Sequence, residues 1–320
     1  MRILTVGKND ADQRLDKFMS KTFRTMPRSM LYKYLRLKCV RVNGVHAAAD
    51  TVLHLGDELK FYISDEYFGA EKPVDLSTVR PDFSVVYEDA NLLIVDKPAG
   101  LICQPDEREE RNTLVHHVLA YLAAKGEYDP ASENAFAPAL CNRIDKNTQG
   151  LVLASKNAEA LRIMNEKIKN REITKVYRCL VFGCPEPRTG EWHDWLRKNP
   201  QTNTVQVFSA PCAGAKEIGT AYRVLRTGDG FSLVEVTLLT GRTHQIRAHF
   251  AFKGYPLVGD TKYGHLRDNR GLGFRYQALA SCKVTFDFSS DAGCLSYLTG
   301  KTFETAPFFE NCDLLKRMHG

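Results

Sequence analysis

The 320-residue chain has no long apolar run. Stretches such as residues 92–95 and 151–154 are far too short for a bilayer, which takes about 20 apolar residues. Nor does Met1-Arg2-Ile3-Leu4-Thr5 begin a charged start followed by an apolar core, so no secretory leader is expected and the expected location is cytoplasmic. Paired cysteines are lacking as well. The nine cysteines (39, 103, 141, 179, 184, 212, 282, 294 and 312) show no Cys-x-x-Cys spacing and no zinc-type grouping with histidine. Free thiols and no metal are therefore expected. Also missing are G-x-x-x-x-G-K-[ST], G-x-G-x-x-G, G-x-S-x-G and H-E-x-x-H, and with them the signals of ATP-, NAD- or metal-dependent chemistry. No cofactor is expected.

Charge, by contrast, is unevenly placed. Residues 1–64 hold 12 Lys/Arg against 6 Asp/Glu, an excess equal to the +6 of the whole chain, so the other 256 residues are neutral overall. Within residues 14–41, nine basic side chains face one acid, Asp16. Positive charge concentrated on a small module suits a polyanion partner, although a solvated basic face gives the same count.

The length suggests about two domains. The first is expected over residues 1–64. Leu15, Phe18, Met19 and Phe23 share a helical face, and Pro27 then breaks the chain. Ser29 is expected to cap a second helix carrying Met30, Leu31, Tyr34 and Leu35. Asn43-Gly44 between Val40-Arg41-Val42 and Val45 is a hairpin signal, and residues 55–61 end in a strand pattern. Residues 65–81, acidic and with two prolines, read as a linker. From residue 82 to 320 strands outnumber helices. They are expected over 83–87, 92–96, 150–155, 175–182, 206–208, 219–226, 232–239 and 283–288, with helices over 113–125, 158–170 and around 243–253. Because the two do not alternate regularly, an α+β fold on a mixed or antiparallel sheet is expected rather than a doubly wound one.

Three segments carry residues suited to chemistry. In Asn142-Arg143-Ile144-Asp145-Lys146-Asn147-Thr148-Gln149-Gly150 a carboxylate sits between two cations, in a polar turn before the apolar strand Leu151-Val152-Leu153-Ala154. Asp145 is either a displayed catalytic group or a structural one, capping this turn or pairing with Arg143. Gly241-Arg242-Thr243-His244-Gln245-Ile246-Arg247-Ala248-His249 is dense in donors, and reads as a site wall or as an exposed polar helix. In Lys175-Val176-Tyr177-Arg178 strand alternation turns Tyr177 inward, where its hydroxyl needs a partner; it reads as a site residue or as a packing tyrosine.

Together these segments resemble the RluA-type pseudouridine synthases, in particular the RluC/RluD-like members with an N-terminal S4 domain. The pattern H-R-L-D-x-x-T-S-G is approximated by residues 142–150, and G-R-T-H-Q-I-R-x-H is met in full by residues 241–249. Lys175 and Tyr177 fall on a Lys-x-Tyr strand, residues 95–101 on V-D-K-P-x-G-L, and residues 257–264 on L-x-G-D-x-x-Y-G. Arg14-Leu15-Asp16, Pro27-Arg28-Ser29, residues 40–44 and Leu55-Gly56-Asp57 follow the S4 pattern. The departures are Asn142 for His, Gln149 for Ser, Gln104 for the His of His-Pro, and Gln277 for the His of His-Ala.

The resemblance implies a small S4 (αL-type) RNA-binding domain, followed by a synthase domain on a mixed, largely antiparallel sheet flanked by helices. It implies isomerisation of uridine to pseudouridine in structured RNA, with ribosomal RNA of the large subunit the substrate class, and no nucleotide cofactor, metal or membrane. Asp145 would be the essential carboxylate, Arg247 its partner, Tyr177 the tyrosine packed on the nucleotide, and Arg143 the wedge filling the space of the flipped base. Arg14, Lys17, Arg28, Lys38 and Arg41 would meet phosphates. A non-catalytic RNA-binding or ribosome-assembly factor on the same fold is the alternative, and intact Asp145, Tyr177 and Arg247 speak against it.

Overall fold

The computed structural model describes residues 1–68, 75–107, 109–264 and 269–319. Contacts divide the chain into two units. One comprises Met1–Pro81, Val115–Ala139 and Ser155–Arg162; the other comprises Asp82–Leu114, Leu140–Ala154 and Ile163–Gly320.

The first unit begins β1 (Arg2–Thr5), β2 (Gln13–Arg14), α1 (Leu15–Thr22), α2 (Arg28–Arg36), β3 (Val40–Val42), β4 (Val45–His46), β5 (Val52–Leu53) and β6 (Glu58–Phe61). The apolar stripe of α1 is what roots it: Leu15, Phe18, Met19 and Phe23 are buried with Leu31 and Leu35 of α2 and Leu59 and Phe61 of β6. Helix α2 starts at Arg28 with Pro27 at its cap position. Ser29 therefore lies inside the helix and is not its cap. Pro27 has a fixed φ and no N–H, which suits the entry to a helix better than the expected serine did. The far end of α2 closes with Lys38 Nα donating to Leu35 O (3.0 Å) and Cys39 Nα to Tyr34 O (3.0 Å), with Lys38 at φ 58°. That turn is usually made by glycine. Asn43 and Gly44, at φ 52° and 81°, make the tight turn joining β3 to β4. Of the linker expected over 65–81, residues 69–74 lie outside the described residues. Phe68, just before them, packs edge-on against Phe23 at 5.0 Å between ring centres.

The second unit is built on one sheet. Its strands are β7 (Ser84–Glu88), β8 (Leu92–Lys97), β9 (Ala139–Leu140), β10 (Gln149–Ser155), β11 (Ile173–Phe182), β12 (Thr189–Asn199), β13 (Thr204–Phe208), β14 (Lys216–Gly228), β15 (Phe231–Leu238), β16 (Leu279–Phe286) and β17 (Thr302–Glu304). The helices from residue 113 onward are α3 (Leu114–Ala124), α4 (Ala158–Lys169), α5 (Gln245–Phe252) and α6 (Asp313–Lys316). The strand order is β13-β12-β14-β15-β11-β16-β10-β8-β7, with β17 on β16 and β9 on β10. β10 and β16 run parallel, while β11–β15, β11–β16, β12–β14, β14–β15 and β7–β8 are antiparallel. This is the mixed, largely antiparallel sheet that was expected. Asn157 caps α4 as expected, its Oδ1 accepting from Ala160 Nα at 2.9 Å.

The 11-residue strand β12 was not expected. Its inward face is Gly190, Trp192, Asp194 and Leu196, and a charged residue in that row breaks the apolar alternation by which a strand is recognised. On the tertiary side the break is satisfied, because Asp194 meets His249 of α5. The α5 helix rests on this end of the sheet, with Ala248 buried among Leu196, Val205, Val207 and Ile218.

Candidate active site

Three adjacent strands set out the site. Gly150 at the start of β10 lies opposite Ser281 of β16, and Ser281 lies opposite Tyr177 of β11. Gly150, at φ 124°, lies so close that a Cβ on it would fall 2.3 Å from Ser281 O. Only glycine allows this approach. It brings the turn of residues 142–149 onto the same rung as Tyr177, which is 6% exposed. Burial pushes the Tyr177 hydroxyl up to about 12, so it remains a proton donor at neutral pH.

The Asp145 turn is anchored from below by a buried lysine. Lys97, at the end of β8, is fully buried, and its Nζ donates to Pro98 O (2.8 Å), Leu101 O (2.8 Å) and Lys146 O (3.1 Å). Gly100 Nα donates to Lys146 O as well, at 2.8 Å. The segment 95–101 thus holds the residue next to Asp145 by its carbonyl. Burial lowers the Lys97 pKa to about 8, the expected sign for a buried ammonium that donates to backbone carbonyls.

Helix α5 supplies the counter-charge. Arg247 donates from Nη1 to Asp145 Oδ2 at 3.0 Å, and its other edge is held bidentately by Asp260, Nε to Oδ2 at 2.7 Å and Nη2 to Oδ1 at 3.0 Å. Tyr263 lies against the guanidinium, 5.2 Å from ring centre to Cζ. Burial opposes the ionised form of Asp260, but the Arg247 bonds outweigh it and its carboxyl sits below the usual range. Burial likewise opposes the Arg247 charge, and its two carboxylate partners raise its pKa all the same. Such a fork fixes a guanidinium in direction as well as place. Asp260, like Lys97, is a residue whose role sequence reasoning missed. It stood in the 257–264 motif, but nothing local tied it to Arg247, 13 residues earlier.

Two histidines complete the wall. His244, at φ 52°, precedes α5 and has 10% of its side chain exposed; its Nδ1 lies 2.8 Å from Tyr263 Oη and its Nε2 3.9 Å from Asp145 Oδ2. Burial pushes the imidazole down to about 4 despite the pull of Asp145, and Arg247 and Lys262 add to the fall. His249 is fully buried, its Nε2 2.8 Å from Asp194 Oδ2 and its Nδ1 2.9 Å from Thr220 Oγ1. Gln245 Nε2 donates to Thr220 Oγ1 (3.1 Å) and Gly219 O (2.9 Å), and its Oε1 accepts from Arg242 Nα (3.0 Å). Gln245, Arg247 and His249 are all buried, which overturns the reading of this segment as an exposed polar helix.

Asp145, Arg247 and Tyr177 therefore lie in one unit on neighbouring elements, and the pairing of Asp145 with Arg143 is not formed. Arg143 is exposed and donates to Gln104 Oε1 at 3.1 Å. The other departures are likewise engaged. Asn142 Oδ1 accepts from Leu153 Nα (2.8 Å), Gln277 Nε2 donates to Thr148 Oγ1 (3.2 Å), and Gln149 reaches Asp96 (3.0 Å) and Ala306 O (3.2 Å). In the first unit Arg14, Lys17, Arg28 and Lys38 are exposed, Arg14 also being paired with Asp16 (3.1 and 2.8 Å), and Arg41 lies partly buried over the Tyr62 ring.

This arrangement is a carboxylate with one oxygen held by a guanidinium, beside a buried tyrosine and a partly buried histidine. It is equipment suited to proton transfer and to stabilising charge at a held carboxylate. Residues 91–252 match the family model for RNA pseudouridylate synthase. The chain belongs to that family and, with the motifs above, is of its RluA type: it isomerises uridine to pseudouridine in RNA. It is 33% identical over 287 residues to an RNA pseudouridine synthase of Mycoplasma genitalium, covering 88% of each chain. It is 30% identical over 252 residues to the ribosomal large subunit pseudouridine synthase D of Pseudomonas aeruginosa, covering 79% of this chain and 74% of that one. The human RNA Pseudouridylate Synthase Domain Containing 1 shares the fold, with a TM-score of 0.58 at 22% identity over 78% of this chain and 92% of its own. Among the described residues no helix is long and apolar enough to cross a membrane.

Proposed function

We propose that the chain modifies uridines of large-subunit ribosomal RNA as a RluC/RluD-like synthase, with Asp145 as its catalytic carboxylate. The observation that carries the assignment is the Arg247 fork. Asp260 holds its Nε–Nη2 edge, and Nη1, the third nitrogen, donates to Asp145 Oδ2 at 3.0 Å. The isomerisation breaks N1–C1′, turns the uracil and joins C5 to C1′, and the C5 proton is finally replaced at N1. A carboxylate assists by adding to the sugar or by taking a proton from it. Both routes require it ionised in a site that excludes water, and an unpaired charge there is costly. Arg247 offsets that cost.

Tyr177, kept protonated by burial, packs beside the base and serves the proton movements as a donor. Arg143, exposed at the rim, fills the stack that the flipped uridine leaves; unstacking costs on the order of a few kcal/mol. Residues 1–64 act as an S4-type RNA-binding domain, 65–81 connect, and residues 82–320 carry the chemistry. Lys17, Arg28 and Lys38 supply phosphate contacts; Arg14 and Arg41 contribute less, one clamped by Asp16 and the other over Tyr62. The name of the Pseudomonas relative supports the ribosomal target.

Mapping pseudouridines in ribosomal RNA from cells lacking the protein, then from cells rescued with wild type or Asp145→Asn, tests the proposal. At least one large-subunit site should vanish, return with wild type and stay absent with the variant. Return with Asp145→Asn would remove the assignment of the carboxylate. Loss of sites in another RNA class alone would remove the ribosomal target.

A further inference from the structure

A hydroxyl has one proton to give and two lone pairs to offer. Tyr263 Oη accepts from Val205 Nα at 3.0 Å and lies 2.8 Å from His244 Nδ1. Among the described residues it has no other acceptor. The arrangement that satisfies every group has Tyr263 donating its proton to Nδ1, which leaves the neutral ring protonated at Nε2. That nitrogen faces Asp145 Oδ2 at 3.9 Å, too long for a hydrogen bond.

The same helix shows the construction in its closed form. His249 Nδ1 faces the hydroxyl of Thr220, whose oxygen already accepts from Gln245 Nε2, so Thr220 donates to the ring and Nε2–H meets Asp194 at 2.8 Å. Asp145 differs in being 23% exposed, and among the described residues its Oδ1 makes no hydrogen bond. One oxygen is thus flanked by Arg247 and His244, and the other is left to the solvent side.

We infer that His244 is a positioning residue for Asp145. Its Nε2–H, oriented by the Tyr263 hydroxyl, closes onto Oδ2 when RNA fills the site, so that Oδ1 meets the sugar. Hydrogen bonds of this kind are commonly long before substrate binds and tighten in the complex. The inference rests on Asp145 being the reacting carboxylate. The groups facing the imidazole are Asp145 from the catalytic turn, Arg247 from α5, and Asp260, Lys262 and Tyr263 from the turn after it. With burial, this set keeps the ring neutral across the physiological range. It therefore serves as a fixed donor rather than as an acid or base.

The test compares single-turnover kinetics of His244→Phe and His244→Gln with wild type, alongside long-range proton–nitrogen NMR of histidine-labelled protein. His244→Phe should lower kcat on the order of 10- to 100-fold with KM for RNA within about twofold, the size typical of losing a group that orients a reacting ligand. His244→Gln, which keeps an N–H at similar reach, should recover most of that loss. The His244 signal, identified by its absence from His244→Gln, should report the Nε2–H form in wild type and a mixture in Tyr263→Phe. Unchanged kcat in His244→Phe overturns the inference. So does an Nδ1–H or doubly protonated ring at pH 7, which is read on the wild-type protein and needs no variant to fold. An acidic limb with a midpoint near pH 6–7 that disappears in His244→Gln also overturns it, since it would mark an acid–base role. Asp145→Asn run in parallel separates the two readings. If it is active, the carboxylate is misassigned; if it is inactive while His244→Phe matches wild type, only the present inference fails.

Discussion

His244 and His249 sit five residues apart at one end of the sheet, and each turns Nδ1 to a hydroxyl and Nε2 to an aspartate. One aspartate is sealed, with Asp194 only 3% exposed, in contact with His249 and also paired with Lys253. The other, Asp145, keeps an oxygen without a partner among the described residues. The lesson concerns what a buried polar cluster is for. A cluster with every group satisfied holds elements together, whereas one left an atom short has kept a place for something else.

Exchanging the two aspartates in turn gives the largest expected contrast. Asp145→Asn should cut turnover by at least about 10^3-fold, as loss of a reacting group does, and leave stability within about 1 kcal/mol. Asp194→Ala should show the reverse. Thermal or urea unfolding should report a loss of about 3–5 kcal/mol, because buried partners are left without their acceptor, while turnover per folded molecule stays within several-fold. Equal effects of both variants on both readouts would erase the distinction.

Lys97→Met tests the anchor beneath Asp145. Three backbone carbonyls each lose a donor, Lys146 O keeping that of Gly100 Nα, for an expected loss of about 2–4 kcal/mol, and turnover should fall with it. The pH dependence carries its own sign. The native pKa of about 8 lies below the ordinary 10.5, so between those values the unfolded chain holds more protons and wild-type stability rises with pH. Unfolding measured from pH 7 to 10.5 should show that rise in wild type and lack it in Lys97→Met. Asp260→Asn should act between the two extremes. It frees Arg247 from half its fork, and kcat should fall on the order of 10- to 100-fold with little change in KM; a larger change in KM than in kcat would make Asp260 a binding residue instead.

The smallest effect is expected at Lys38, where a lysine holds a left-handed φ of 58° at the end of α2. Lys38→Gly should stabilise the chain by up to about 1 kcal/mol. It should also weaken RNA binding and lower the salt slope by about one. A stabilised variant with an unchanged salt slope would remove Lys38 from the RNA-binding surface.

Much of the fold was legible because its signals are local. The stripe Leu15-Phe18-Met19-Phe23, the Asn43-Gly44 turn and the apolar runs of β8, β10 and β11 each follow from residues a few positions apart. Strand β12 was illegible because its inward row holds Asp194, a charge that makes sense only beside His249, 55 residues later. Ser29 misled for a related reason: a good cap residue was outcompeted by the proline two places earlier. In the site, Asp145, Tyr177 and Arg247 could be named from motifs, but Asp260 and Lys97 could not be given roles. One acts through an arginine side chain and the other through a backbone carbonyl, and neither leaves a mark in spacing.

The sequence by itself determined the family and the reaction, and it nominated the groups, because these depend on residue types at short, ordered intervals. Only the tertiary structure decided which oxygen of Asp145 is held and which is left open. That choice comes from Arg247 and His244 converging on Oδ2 across about 100 residues of chain, with Asp260 and Tyr263 fixing their directions. Hydrogen-bond direction is a property of the assembled wall, and no single segment contains it.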